Sequence, residues 1–157
     1  MSDMVRVISK RYTAPDGSVY DSREEYQYLL ILKADAKVSC IHRQVKMNIH
    51  PAIYMMVPKP SKRKQRYVKR TLVKAHTYKP DYIFWEGDRL IVCDVKSDYT
   101  RTLREFRITA KGVIAKIIEH NRKRHNGNAV VVFREAVSLG RGKWRIIDYP
   151  PEGCMIV

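Results

Sequence analysis

The sequence predicts an α/β domain of element order α-β-β-β-α-β, with a mixed central sheet and a protruding basic β-arm. Three observations predict it. Apolar residues recur at helical spacing near 22–36 and 102–121. Residues 38–49, 81–86, 89–96 and 128–135 read as strands, rich in β-branched and aromatic side chains. Residues 51–76 combine Pro51, Pro58 and Pro60 with a run of lysine and arginine that no acidic residue interrupts.

Taken in order, Tyr12-Thr13 and Val19-Tyr20 flank Asp16-Gly17, a turn signal that predicts a short hairpin. Ser22 with Glu25 three residues on matches a capping box, so a helix starts there. Tyr26, Leu29, Leu30, Ile31 and Leu32 give that helix its apolar face up to about Ala36. A strand is expected over 38–49, from Val38, Cys40, Val45, Met47 and Ile49. The arm follows, with strand-like flanks near Ile53–Val57 and Tyr67–Val73. Gly87-Asp88 then joins two strands as a two-residue hairpin turn. In the second of these, Ile91, Cys93 and Val95 face one side and Leu90, Val92, Asp94 and Lys96 the other. Both faces are apolar through residue 93, which predicts a central strand. The second helix carries Leu103, Phe106, Val113, Ile114, Ile117 and Ile118 as its stripe. Gly127 ends the connection to Asn128–Glu135, a buried-type strand that pairs in parallel as a βαβ unit. Lys143–Ile147 adds an edge strand.

At 157 residues the chain favours one domain, able to bury roughly 70% of its unfolded surface. Lysine and arginine outnumber acidic residues 31 to 16, a net charge of +15, which points to a polyanionic partner such as nucleic acid. No apolar run approaches the roughly 18 residues of a membrane span, and Met1 to Lys10 lacks the apolar core of a signal peptide. A cytoplasmic protein is expected. Cys40, Cys93 and Cys154 lack a C-x-x-C pair and read as free thiols, two of them buried. No His spacing suits a zinc finger, no Ser/His/Asp or Cys/His nucleophile set stands out, and Gly140-Arg141-Gly142-Lys143 lacks the Walker spacing. Asn121-Arg122-Lys123-Arg124-His125 reads as a solvated helix end. Trp85 and Trp144 read as core or rim aromatics, and His76 as structural.

The chemistry concentrates at Pro80-Asp81 and Asp94-Val95-Lys96. Period two puts Asp94 and Lys96 on one strand face, and the hairpin brings Asp81 beside them. Two carboxylates at one site repel and lose solvation, so a fold tolerates them chiefly with a cation between them. Oxygen ligands select a hard ion, Mg²⁺, with Mn²⁺ able to substitute. Such an ion polarises a phosphoryl oxygen and acidifies water, and Lys96 is placed to orient that water or stabilise developing charge. The plainer reading makes Asp94, Lys96 and Asp81 a strand-end ion pair.

This pattern resembles the PD-(D/E)XK nuclease superfamily. The wider run is similar to small phage-encoded members: Asp21-Ser22-Arg23-Glu24-Glu25-Tyr26, Gln44, Tyr78-Lys79-Pro80-Asp81-Tyr82, Asp94-Val95-Lys96-Ser97 and Phe106-Arg107. The resemblance covers about residues 18–120. It implies a restriction-endonuclease-like core and Mg²⁺-dependent hydrolysis of DNA. The implied metal ligands are Glu25, Asp81, Asp94 and the Val95 carbonyl. Lys96 is implied as the water-positioning base, with Gln44 nearby. It also implies branched DNA as substrate, as for Holliday junction resolvases, a homodimer, and products with a 5′-phosphate and a 3′-hydroxyl. Glu25 has a full explanation as a helix cap, and Glu24 is available in its place. The arm is larger than a minimal core needs.

For DNA contact the candidates are Lys59, Lys62, Arg63, Lys64, Arg66, Lys69 and Arg70 on the arm, with Arg104, Arg107 and Lys111 on one stripe of the second helix. Tyr54 and Tyr67 interleave with the arm's charges and suit stacking or hairpin packing. A solvated loop and an ordinary exposed helix face are the plainer alternatives. Two other functions remain open. One is a partner-dependent DNA-cleaving subunit of a transposon or restriction system. The other is a nucleic-acid-binding module without catalysis, which explains the charge but not two carboxylates beside a lysine.

Overall fold

A computed structural model describes residues 10–60, 62–123 and 128–154. The expected connection end at Gly127, the helix-end residues Arg124 and His125, and the N-terminal residues before Lys10 lie outside this range. The described residues begin with a hairpin, β1 (Tyr12–Thr13) and β2 (Val19–Tyr20), closed by backbone bonds from the Ala14 amide to the Ser18 carbonyl and from the Gly17 amide to the Ala14 carbonyl. Helix α1 (Arg23–Ala34) follows. Its N-cap is Ser22, whose Oγ accepts from the Glu25 amide at 3.2 Å.

The expected strand over 38–49 is two strands, β3 (Val38–Arg43) and β4 (Met47–His50). The break has a local cause. Gln44 adopts φ +48°, a left-handed conformation that no strand continues, and Cys40 already bulges β3 at φ +52°. β5 (Ile53–Lys59) and β6 (Arg66–Val73) form the arm as an antiparallel ribbon, with Pro58 opposite Tyr67. A strand not expected from sequence, β7 (His76–Tyr78), pairs with β4 at the arm's base, where the His50 and His76 rings stack 5.7 Å apart.

β8 (Tyr82–Glu86) and β9 (Arg89–Ser97) form the predicted hairpin across Gly87-Asp88. A 3₁₀ turn at Thr100–Thr102 leads into α2 (Arg104–Lys123). The helix therefore starts two residues later than expected, and Leu103, read as part of its stripe, is exposed. β10 (Val130–Gly140) runs parallel to β9 as expected but continues past Glu135, because β11 (Lys143–Tyr149) folds back on it along its length. Asn121 is more than a solvated helix end. Its side-chain amide exchanges two hydrogen bonds with the backbone of Val131, tying α2 to β10.

The result is a mixed five-stranded sheet, ordered β11-β10-β9-β8-β3, with β9 central as predicted. One face carries α1 and the first hairpin over Phe84, Ile91, Cys93 and Val132. The other carries α2 and β4 over Val92 and Phe133. Of the cysteines only Cys93 is buried; Cys40 and Cys154 are exposed, since both lie on irregular backbone outside the core. All three are free thiols. Among the described residues no helix is long and apolar enough to cross a membrane.

Two features fix the outer strands. Gly112 sits mid-helix, where glycine costs about 1 kcal/mol against alanine. A Cβ there would meet Ile49 Cγ2 at 2.8 Å, so its absence lets β4 lie directly on α2. Lys116 also donates to the Asn48 carbonyl. The arm's base is thereby anchored to the second helix.

Arg134 is buried and pairs with Glu86 through Nη1 and Nη2, at 2.9 and 3.0 Å, and with Asp148 through Nε and Nη2, at 2.7 and 2.9 Å. Its guanidinium holds the Glu86 carboxyl below the usual range. It ties β8, β10 and β11 together across the sheet. Removing it leaves Asp148 without its partner and Glu86 with Arg89 alone, so Arg134→Ala should cost about 3 kcal/mol in urea unfolding. Arg145→Ala, which breaks only the exposed pair with Asp98, should change stability by less than about 1 kcal/mol.

Candidate active site

Asp81 stands just before β8, and Asp94 lies near the C-terminal end of β9. The register pairs Tyr82 with Cys93, so Asp81 and Asp94 fall opposite one another on the α2 face of the sheet. Asp94 is 1% exposed. Asp81 is half-buried, and its Oδ2 accepts from the Val95 amide at 2.7 Å. Lys96, two residues along on the same face, sets its Nζ 3.3 Å from Asp94 Oδ2. That ion pair lacks hydrogen-bond geometry, and Asp94 Oδ2 has no hydrogen-bond partner.

Glu25 reaches the same cleft from the first turn of α1. It is buried, and its carboxylate makes one long 3.4 Å contact with the Asp21 amide. The capping box is thus displaced by one residue, so capping and lining the cleft do not conflict. Tyr82 donates its hydroxyl to the Glu25 carbonyl at 2.8 Å and pins the helix start over the sheet. Glu24 borders the cleft but is exposed, so Glu25 is the better-placed acid. Gln44 lies behind: its amide donates to the Asp81 carbonyl at 3.2 Å and its side chain to Asp21 Oδ2 at 3.1 Å. The left-handed turn that splits β3 from β4 therefore serves the site. Glu25, Asp81, Asp94 and Lys96 line an open cleft of about 540 Å³ that also includes Lys79, Val95 and Ser97, while Gln44 and Tyr82 stay outside its lining.

The electrostatics are those of a site short of positive charge. Burial pushes the Asp81 carboxyl well up, and the Asp94 charge beside it adds to the rise; Lys96 and the Val95 amide pull the other way. Burial and then Asp21 raise Glu25. Burial pulls Lys96 down, but Asp94 and Asp81 more than offset it, so the ammonium is held.

Several site residues were not legible beforehand. The Tyr78 hydroxyl is buried without a hydrogen-bond partner and feels the Asp94 charge, second only to burial in raising its pKa. Its position in the Tyr78-Lys79-Pro80-Asp81 run was the available signal. Glu135 is registered directly against Asp94 across the parallel strands and is buried. Only tertiary register reveals it. Asp81, Asp94 and Glu135 thus form a transverse row, with Lys96 beside the first two and Arg101 on the third at 2.8 Å.

All seven arm candidates, Lys59, Lys62, Arg63, Lys64, Arg66, Lys69 and Arg70, are exposed, as are Arg104, Arg107 and Lys111. Tyr54 is also exposed, with Lys69 Nζ 4.0 Å from its ring centroid. Among the described residues no three His, Cys, Asp or Glu side chains converge tightly enough to hold a metal, so Glu25 does not join Asp81 and Asp94 in the three-carboxylate ligand set the resemblance implies. Asp81 and Asp94 still suit Mg²⁺, which usually keeps several waters and takes only one or two carboxylates. Asp94 Oδ2, buried and accepting no hydrogen bond, is the observation that fits such an ion. Searches of family models, curated proteins and solved structures return no match for this chain.

Because the folded state raises the proton affinity of Asp81, it binds more protons than the unfolded chain above the ordinary value of 3.8. That stabilising contribution is full below 3.8 and is lost as pH rises until Asp81 ionises. Asp81→Asn keeps the acceptor for Val95 and removes the repulsion. In EDTA at neutral pH it should raise the melting temperature by about 3 °C and flatten the pH dependence.

Proposed function

We propose that this chain is a Mg²⁺-dependent endonuclease with a PD-(D/E)XK, restriction-endonuclease-like core. It hydrolyses phosphodiester bonds of DNA and acts on branched DNA. One observation carries the reading: Asp81, Asp94 and Lys96 meet at the C-terminal end of a central strand, with Glu25 across the same cleft.

The metal would be held by Asp81, Asp94 and the Val95 carbonyl, with Glu25 as the outer acid. Such an ion supplies charge on the phosphoryl oxygen and acidifies a water. Lys96 orients the attacking water, and its held ammonium stabilises the charge that builds on the phosphoryl oxygens. The water gives up a proton as its oxygen bonds to phosphorus, the bond from phosphorus to the 3′ oxygen breaks, and that leaving oxygen takes up a proton. A 5′-phosphate and a 3′-hydroxyl remain. Gln44 acts from behind the cleft, its backbone amide holding the Asp81 carbonyl in place.

The arm and the exposed stripe of α2 neutralise phosphates away from the cut. The described residues present no base-reading motif, so phosphate and shape recognition are expected. Cutting a four-way junction on two strands needs two active sites, which a homodimer supplies.

The experiment is cleavage of a labelled four-way junction beside a linear duplex of the same sequence, with Mg²⁺ or with EDTA. The expected result is cutting of the junction in Mg²⁺ only, with Mn²⁺ able to replace it. Asp94→Ala should reduce the rate by a factor of about 10³ or more while leaving DNA bound. Binding with no cutting in either metal would overturn the reading in favour of a binding module. Affinity should also fall about tenfold or more between about 50 and 200 mM salt, with a shallower slope when the Lys62, Arg63 and Lys64 charges are removed.

A further inference from the structure

One strand away from the cleft, a second pocket opens between α2 and the end of the sheet. It has a volume of about 420 Å³, within the range of roughly 300–1,000 Å³ typical of small-ligand sites. Glu135 lies at its floor. Arg101 Nε donates to Glu135 Oε2 at 2.8 Å and the Tyr149 hydroxyl to Oε1 at 3.1 Å. Each carboxylate oxygen offers about two acceptor positions, so this floor retains capacity for a further N–H donor. The wall is aromatic and apolar, from Phe106, Tyr149 and Ile114. Arg107 and Lys111 stand exposed on α2 where they border the pocket.

The pocket adjoins the proposed active site. Glu135 is the register partner of Asp94, and neighbouring strands lie about 4.8 Å apart. Phe106 is a shared wall, since Lys96 Nζ sits 5.1 Å from its ring centroid while the ring also lines the pocket. Between the two, the 3₁₀ turn at Thr100–Thr102 forms a ridge, with Thr100 lining the cleft and Thr102 the pocket.

A bare phosphate would leave the aromatic wall unused and would face the Glu135 carboxylate. A purely apolar ligand would leave the basic rim unused. A nucleotide satisfies both: its phosphate at Arg107 and Lys111, its ring against Phe106 and Tyr149, its N–H edge at Glu135. We propose that the pocket takes one unstacked nucleotide of the strand being cut, beside the scissile phosphate, and that this selects branched DNA. The inference rests on the endonuclease reading and deepens it. A paired base must first be flipped out, at a cost of a few kcal/mol, whereas an unpaired base at a branch point is already free.

The test uses a duplex carrying one unpaired 2-aminopurine and the same duplex fully paired, both in EDTA so that neither is cut. Wild-type protein should bind the bulged DNA about tenfold or more tightly and change its 2-aminopurine fluorescence, as base stacking on aromatic side chains requires. Tyr149→Leu removes a wall. Thr102→Trp fills the mouth from an exposed position, so it tests the pocket even if the first variant folds poorly. In each the ratio of the two affinities should fall to about one. A wild-type ratio of one, or variants that keep the wild-type ratio, would overturn the proposal. Metal-dependent cutting lost in Asp94→Ala, with no bulge preference, removes the pocket and leaves the nuclease. A preference that depends on Tyr149 and Thr102, in a protein that cuts no DNA, supports the pocket and removes the nuclease.

Discussion

The repulsion between Asp81 and Asp94 organises this molecule. The two carboxylates face each other on adjacent strands, one fully buried and one half-buried, and among the described residues Lys96 is the ammonium that pairs with Asp94. One lysine does not balance two acids with Glu25 across the cleft. Burial already disfavours the charged forms, and the low local dielectric magnifies what repulsion remains. A divalent cation would answer the deficit under the proposed function, and Asp94 Oδ2, which accepts no hydrogen bond, is the oxygen such an ion would take.

Much of the surrounding structure holds that unfavourable arrangement in place. The Val95 amide fixes one Asp81 oxygen. Gln44 takes a left-handed backbone conformation and grips the Asp81 carbonyl and Asp21 together. Tyr82 clamps the first turn of α1, which sets where Glu25 can reach. On the far side of the sheet end, Arg134 ties β8, β10 and β11 into one unit. The arm returns through β7 to Asp81, and Gly112 lets its base seat on α2. Under the proposed function, phosphates gripped by the arm would thus be anchored to the elements that carry the site.

What could be read beforehand follows local rules. Asp94 and Lys96 lie two apart in a strand, so their shared face follows from the pleat alone. Gly87-Asp88 announces the hairpin that returns Asp81 to them, and the prolines and uninterrupted basic run announce the arm. Ser22 announces α1. Features that depend on distant partners could not be read. A positive φ at glutamine has no composition signal, so the split of β3 from β4 was hidden, and with it the pairing that makes β7. Cys40 looked like a strand interior residue because its bulge was equally silent. Glu135 reads as one polar residue at the end of an apolar run; only the parallel register sets it beside Asp94 and Arg101.

Calorimetric titration of the metal-free protein with Mn²⁺, in the absence of DNA, tests most directly whether the carboxylate pair exists for a cation. Wild-type protein should bind at the Asp81–Asp94 site, with heat lost in Asp94→Ala and strongly reduced in Asp81→Asn. Undiminished binding in both variants, or no binding by the wild type at millimolar Mn²⁺, would contradict it and leave the pair as a strand-end charge cluster.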